Sequence, residues 1–245
     1  MTDTFDVETA SRTLLQVWRG GARPVGLPVP PPDTDAAYAV QRAVVKALGG
    51  GAWKMALLEG RDRHAAALPG QRVVPSGDTL LPLPRDAAIE VETALILGAD
   101  LHPGADRETI LAAIGEVRLC FEIVASRFAD RKAVLPLVAM ADGFSSGFIV
   151  LGEALPGWRD AMTGPLDIRL WLDDRPVVAS ETVQSLEEAL SFLTWLTRHA
   201  ADQNLPLRKG DVIITGARVG PIPLEGANLA RASAGAATVS VGLVV

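Results

Sequence analysis

The residues with the clearest chemical potential lie in Ile89-Glu90-Val91-Glu92-Thr93-Ala94-Leu95-Ile96-Leu97, an apolar run carrying two carboxylates two positions apart. A run of this composition reads as a β-strand, whose side chains alternate between faces, so Glu90 and Glu92 share one face. Two like charges side by side cost free energy unless water or a cation neutralises them. A hard divalent cation, Mg²⁺ or Mn²⁺, suits such oxygen ligands. A solvated strand face with two surface glutamates is the competing account. A third carboxylate, Glu122, interrupts the apolar stretch Leu119-Cys120-Phe121-Glu122-Ile123-Val124, and a charge in such a setting needs a partner. Three carboxylates from two strands hold a cation while leaving coordination positions for water or a chelating substrate. A buried Glu122–Arg127 ion pair would satisfy Glu122 without metal, and both accounts stand at this point.

The elements that must position these residues are of two kinds. Leu14, Leu15, Val17 and Trp18 recur at helical spacing within a segment from Val7 to Gly20, which Gly20-Gly21 ends. After a proline-rich connector from Pro24 to Pro32, Asp33 and Thr34 offer N-caps for a second helix. Its apolar positions run from Ala37 to Leu48, before Gly49-Gly50-Gly51. From there the pattern turns to short β-branched or alternating runs: Ala88 to Leu97, Val117 to Ser126, Phe148 to Leu151, Leu166 to Leu172, Val177 to Ala179, Val212 to Thr215 and Thr238 to Val244. Asp173-Asp174 is a hairpin turn candidate, and Ser185 followed by Glu188 spells the capping box of one late helix. The stretch from Glu59 to Gly77 reads as a long polar loop of the kind that often carries function. Within it, Arg61 and Arg63 could hold a second carboxylate and His64 could act as an acid or base. A wet surface is the simpler account of all three. Trp18, Trp171 and Trp195 read as core, whereas Trp53, next to Lys54, is a candidate wall of the pocket.

The chain has 245 residues and a formal net charge of −6. Without a basic patch interleaved with aromatics it lacks the electrostatic footprint of a nucleic-acid binder. One cysteine, Cys120, supports neither a disulfide nor a Cys-rich zinc site, and no apolar stretch approaches the length of a bilayer span. With acidic residues rather than a basic segment near Met1, a cytoplasmic protein is expected. Gly143-Phe144-Ser145-Ser146-Gly147 spells G-x-S-x-G, but strand character continues after it where a nucleophile elbow requires a helix, so serine-hydrolase chemistry is disfavoured.

The order of motifs resembles the fumarylacetoacetate hydrolase superfamily, in particular its 2-keto-4-pentenoate hydratase / 4-oxalocrotonate decarboxylase branch. The resemblance spans nearly the whole chain. It rests on Tyr38-Ala39-Val40-Gln41, Trp53-Lys54-Met55-Ala56-Leu57, Ile89-Glu90-Val91-Glu92, Phe121 to Arg127, Ala141-Asp142 with Ser145-Ser146-Gly147, Val150-Leu151-Gly152, and Leu207 to Gly216. It implies an α+β fold, a rolled mixed β-sheet with a smaller helical N-terminal part. The expected division is a mainly helical 1–75 with a lid loop and a catalytic sheet domain 76–245. It further implies Glu90, Glu92 and Glu122 as ligands of Mg²⁺ or Mn²⁺, Lys54 as the catalytic residue facing the substrate, and Ser145, Ser146, Arg127 and Asp142 around the substrate. The partner implied is a small 2-oxo or 2-hydroxydienoic acid, with no nucleic acid and no membrane, and the assembly implied is a homo-oligomer. The expected activity is metal-dependent addition of water to 2-hydroxy-2,4-dienoic acids in aromatic catabolism. The alternatives are a 4-oxalocrotonate-type decarboxylase or a diverged member that binds without catalysis. Two positions depart from the family's pattern: Ala56 replaces its usual glycine and Gly143 its usual asparagine.

Overall fold

A computed structural model describes residues 4–58, 62–80 and 82–244. Helices α1 (Val7–Trp18) and α2 (Thr34–Leu48) precede strands β1 (Ala52–Leu58), β2 (Asp62–Leu68), β3 (Val73–Pro75) and β4 (Ala88–Leu97). Next come α3 (Arg107–Ala113), β5 (Ile114–Val124), α4 (Pro136–Ala141) and β6 (Ser146–Ala154). A short α5 (Trp158–Ala161) leads to the hairpin of β7 (Pro165–Leu172) and β8 (Arg175–Val183), then to α6 (Leu186–Asp202). The chain closes with β9 (Val212–Ile214), β10 (Val219–Pro223), β11 (Leu229–Ala234) and β12 (Ala237–Gly242).

Local chemistry fixes several of these boundaries. The Asp33 carboxylate accepts from the Ala36 amide at 2.8 Å and starts α2, and the Ser185 hydroxyl accepts from the Glu188 amide at 3.1 Å and starts α6. Asp173, in the left-handed region at φ 53°, turns β7 into β8.

Eight strands form one mixed sheet in the order β2-β1-β9-β4-β5-β6-β3, with β10 also paired to β4; β1/β9 and β3/β6 run parallel. The order β12-β11-β7-β8 makes a second, four-stranded antiparallel sheet. Ile89, Val91, Leu95, Phe121, Ile123, Trp53 and Met55 from the large sheet share a core with Leu190, Leu193 and Leu196 of α6 and with Ile168, Leu170, Val239 and Val241 of the small sheet. A separate apolar cluster joins α1, α2 and α4 through Leu14, Tyr38, Val40, Val44 and Met140. The fold is thus α+β with a mixed curled sheet. Among the described residues no helix is long and apolar enough to cross a membrane.

One expected loop is a strand. Asp62 to Leu68 pairs antiparallel with β1 from Leu58↔Asp62 to Ala52↔Leu68. Its charges sit at the outer end, and Ala65, Ala66, Ala67 and Leu68 are buried. Alanine has little strand preference of its own, so here sheet pairing decides the structure. Glu59 and Arg61 lie outside the described residues.

Candidate metal centre

Strands β4 and β5 pair in a register that sets Glu90 directly opposite Glu122, and Glu92 opposite Cys120. Period two then gathers all three carboxylates on one face, and one oxygen from each lies within 4.8 Å of the others. Glu92 and Glu122 are fully buried. Lys54 reaches them from β1, two strands away from β4. Its backbone is held between Ala66 of β2 and Ile214 of β9, and its Nζ donates to Glu122 Oε2 at 2.6 Å and lies 3.9 Å from Glu90 Oε2. The Gly216 amide, just past β9, donates to Glu92 Oε2 at 2.8 Å. Around this polar group the same sheet face carries Ala52, Ala66, Leu68, Ala94, Cys120, Ile149, Val212 and Ile214. A wall of that kind excludes water and strengthens every charge interaction inside it.

The carboxylates respond differently to this setting. Burial pushes Glu92 well above the usual carboxylate range, helped by the charges of Glu122 and Glu90, against the pull of Lys54 and the Gly216 amide. Burial also pushes Glu90 up, to about 7, with Lys54 opposing. Glu122 is buried as deeply, yet the Lys54 ammonium, with the neighbouring Glu90 carboxyl and Ser146 hydroxyl, brings it below its ordinary value. Burial opposes the charge on Lys54, but the three glutamates outweigh it and hold the ammonium protonated.

Two oxygens, Glu92 Oε1 and Glu122 Oε1, are buried with no hydrogen-bond partner. Unpaired buried carboxylate oxygens are costly, and three clustered carboxylates form a hard, all-oxygen donor set. The residues therefore fit a divalent cation of the Mg²⁺, Mn²⁺ or Ca²⁺ type.

Arg127 does not pair with Glu122. Its guanidinium is bonded to Asp142 through Nε, to the Ala125 carbonyl at 2.8 Å, and to the carbonyls of Ser146 and Asp142, all buried. It lies over the Trp18 ring at 4.3 Å. Asp142 also accepts from the Ser126 hydroxyl at 2.7 Å and from the Arg127 amide at 3.1 Å. Arg127 and Asp142 thus lock the turn that carries Phe144, Ser145 and Ser146 beside the glutamates, with Phe144 and Ser145 both at positive φ. Gly143, also in that region at φ 61°, faces the glutamate side of the sheet. A Cβ there would meet Leu68 Cδ2 at 3.1 Å.

Three further expectations are corrected. Trp53 does not wall this site: strand alternation turns it to the opposite face, where it is 4% exposed and meets His199 edge-on. Arg63 donates to the Ser191 carbonyl and hydroxyl on α6 and so points away from the glutamates. His64 belongs to a strand, not to a loop, with Nδ1 3.3 Å from the Tyr38 hydroxyl. The disfavoured serine-hydrolase reading gains nothing: Ser145-Ser146 leads into β6, and His199 stacks on Trp195 at 4.6 Å.

Residues 61–241, well over half of the chain, match the family described as Fumarylacetoacetate (FAA) hydrolase C-terminal. The chain belongs to the fumarylacetoacetate hydrolase family. Among curated proteins it is 31% identical over 135 residues to a 2-keto-4-pentenoate hydratase of Paraburkholderia xenovorans, covering 55% of this chain and 49% of that protein. It is 30% identical over 139 residues to a 4-oxalocrotonate decarboxylase of a Pseudomonas species, covering 56% and 52%. The match thus spans about half the length of these relatives. Among solved structures, the 4-oxalocrotonate decarboxylase from Pseudomonas putida G7, complexed with magnesium and adipate, superposes with a TM-score of 0.74 at 20% identity, covering 99% of this chain and all of that one. The fumarylpyruvate hydrolase from Pseudomonas aeruginosa, in complex with Mn²⁺ and pyruvate, superposes at 0.57 and 17% identity, covering 79% and 89%. This family fold is shared over essentially the full length of the chain.

Proposed function

We propose that this family member is a divalent-metal-dependent hydratase of 2-hydroxy-2,4-dienoic acids. The observation that carries the reading is the buried Glu90/Glu92/Glu122 cluster with two unpartnered oxygens and a lysine beside it. The relatives named as hydratases, and the neighbours complexed with magnesium, calcium or Mn²⁺, support it. Glu90, Glu92 and Glu122 would hold the cation, which would supply Lewis-acid stabilisation of the negative charge that develops on a 2-oxo acid. Lys54 supplies positive charge to an anionic substrate and, held as the ammonium, is the group placed to give a proton from Nζ. Ser145 and Ser146, on the locked turn, would face the substrate's polar end, with Arg127 and Asp142 holding them. The apolar wall of Ala66, Leu68 and Ile149 suits the hydrocarbon part and keeps bulk water out.

In the hydratase reaction 2-hydroxypenta-2,4-dienoate shifts its enol proton to carbon and becomes an enone. Water then adds, hydroxyl at C4 and proton at C3, giving 4-hydroxy-2-oxopentanoate. A second reading is favoured by the 30% identity to a decarboxylase: the dicarboxylate 2-oxo-3-hexenedioate would lose its far carboxylate as carbon dioxide. Both reactions use the same electrostatic device. Spectroscopic assays of the two substrates, with Mg²⁺ or Mn²⁺ and with EDTA, separate them. Metal-dependent loss of the dienol absorbance supports the hydratase, and carbon dioxide release supports the decarboxylase. Silence on both despite bound metal would leave a diverged member that binds without turning over these acids.

A further inference from the structure

Lys54 makes two contacts within the glutamate cluster, one short and one longer, and has no others among its described hydrogen bonds and ion pairs. We propose that Lys54 is the resident counter-ion of the metal-free centre, a tethered cation that keeps three buried carboxylates together until a divalent ion arrives. The inference rests on the metal reading above and deepens it. One ammonium offsets one of three formal negative charges, and a divalent ion offsets the other two. Among the described residues neither Glu92 nor Glu122 has another cation in contact: Arg127 is committed to Asp142, and Glu92 meets the Gly216 amide and the neighbouring Glu90 carboxyl. Without Lys54 the stripped site holds three carboxyl groups within 4.8 Å of one another on a face lined by Ala94, Cys120, Ile149 and Ile214, where low dielectric makes ionising any two of them expensive.

The geometry also separates what can move from what cannot. The β1 backbone is pinned on both sides, by Ala66 and Ile214, so only the four-carbon stem of Lys54 is free to swing. Glu122 offers Lys54 one oxygen and leaves the other open. An incoming ion therefore meets three assembled carboxylates and a positive charge close enough to repel it. The lysine that makes the empty site stable also weakens the ion's hold, and cation binding in turn loosens Lys54 from Glu122 for work on a substrate.

The test uses the full chain stripped with EDTA, then titrated with MnCl₂ at fixed pH, followed by thermal melting and calorimetric binding. Stripped Lys54→Met should melt on the order of 10 °C below the stripped native protein, and Mn²⁺ should return it close to the loaded native protein, so the ion's stabilisation is larger in the variant. Its Mn²⁺ affinity should rise by about tenfold, because the competing charge is gone. The double variant Lys54→Met/Glu122→Gln, which removes a negative charge with the positive one, should melt near the native protein when stripped. An unchanged or weaker Mn²⁺ affinity in Lys54→Met would overturn the proposal and make Lys54 a group that orients Glu122. If stripped Lys54→Met does not fold, Lys54→Arg, which keeps a cation, should fold, and its failure would equally overturn the proposal. Should the native protein bind neither Mn²⁺ nor Mg²⁺, the metal reading falls. The stripped single and double variants still test the pairing, since equal melting of the two would refute it.

Discussion

Trp53 and Lys54 are neighbours on one strand and belong to opposite sides of the protein. The Trp53 side is packed: Trp53, Met55, Ile89, Val91, Leu95 and Phe121 close against α6 and the small sheet, and the polar Thr93 there is answered by Gln184 at 2.9 Å and Thr215 at 2.8 Å. The Lys54 side gathers three carboxylates, two with an oxygen left unpartnered. The first face carries the apolar burial that holds the fold together. The second violates the rules of a stable interior, and such violations mark a site whose partner is a ligand. Among the described residues the packed face tolerates one exception, His199 Nε2, which is buried and unpaired among Tyr38, Trp53 and Trp195.

That contrast can be broken from either side. The largest effect is expected for Glu92→Gln, which should lower metal-dependent turnover by roughly a thousandfold or more. It should leave the melting temperature of the stripped protein unchanged or higher, because one of three crowded charges is gone. A large loss of stability would show that the glutamate face also holds the fold. Trp53→Ala should do the reverse, costing about 3–5 kcal/mol by denaturant titration while the folded fraction keeps its Mn²⁺ affinity. Weakened binding there would mean that the faces are coupled.

Acid should act next, and on the packed face. Burial holds His199 down, at about 4, below its ordinary value of 6.5. The stability it contributes is therefore present above about pH 6.5 and lost as pH falls towards 4. Discounted for its partial exposure, this amounts to about 1–2 kcal/mol. His199→Gln should flatten the melting curve against pH over that window, and an unchanged slope would remove His199 as its source. The smallest effect is expected for Gly143→Asn, since asparagine tolerates positive φ and its side chain would enter the glutamate side near Leu68. Stability should move by less than about 0.5 kcal/mol, with KM for the dienoate changing more than kcat. A drop in kcat alone would place Gly143 nearer to the chemistry.

Much of the architecture was legible because its signals are local. Asp33, Ser185 and the Asp173-Asp174 turn announce the start of α2, the start of α6 and the β7–β8 hairpin through short-range hydrogen bonds and turn geometry. The Glu90–Glu92 pair is legible for the same reason, since period two needs no tertiary knowledge. The partner of Glu122 was not, because Lys54 and Glu122 stand 68 positions apart and meet only through the strand order β1-β9-β4-β5. Arg127 lies closer in sequence to Glu122 than to Asp142, and the choice between them is made by the turn ahead of β6. The Gly216 amide carries no side-chain signature at all. The placement of Trp53, by contrast, was available: the alternation that unites Glu90 and Glu92 sends Trp53 away from Lys54. The strand character of Asp62 to Leu68 was hidden by its charges and its alanines, which describe a surface more readily than a sheet.

Strand β4 pairs with β5, β9 and β10, so the two glutamates it carries sit on one of the most heavily bonded strands of the sheet. Partial opening of the molecule, which begins at edges and termini, leaves such a strand intact. The amides of Val91, Thr93 and Leu95 should therefore exchange with deuterium only when the whole chain unfolds. A bound ion should slow their exchange by the full factor that it adds to global stability, while the β8 edge strand, opening locally, should exchange at the same rate with the ion or without it.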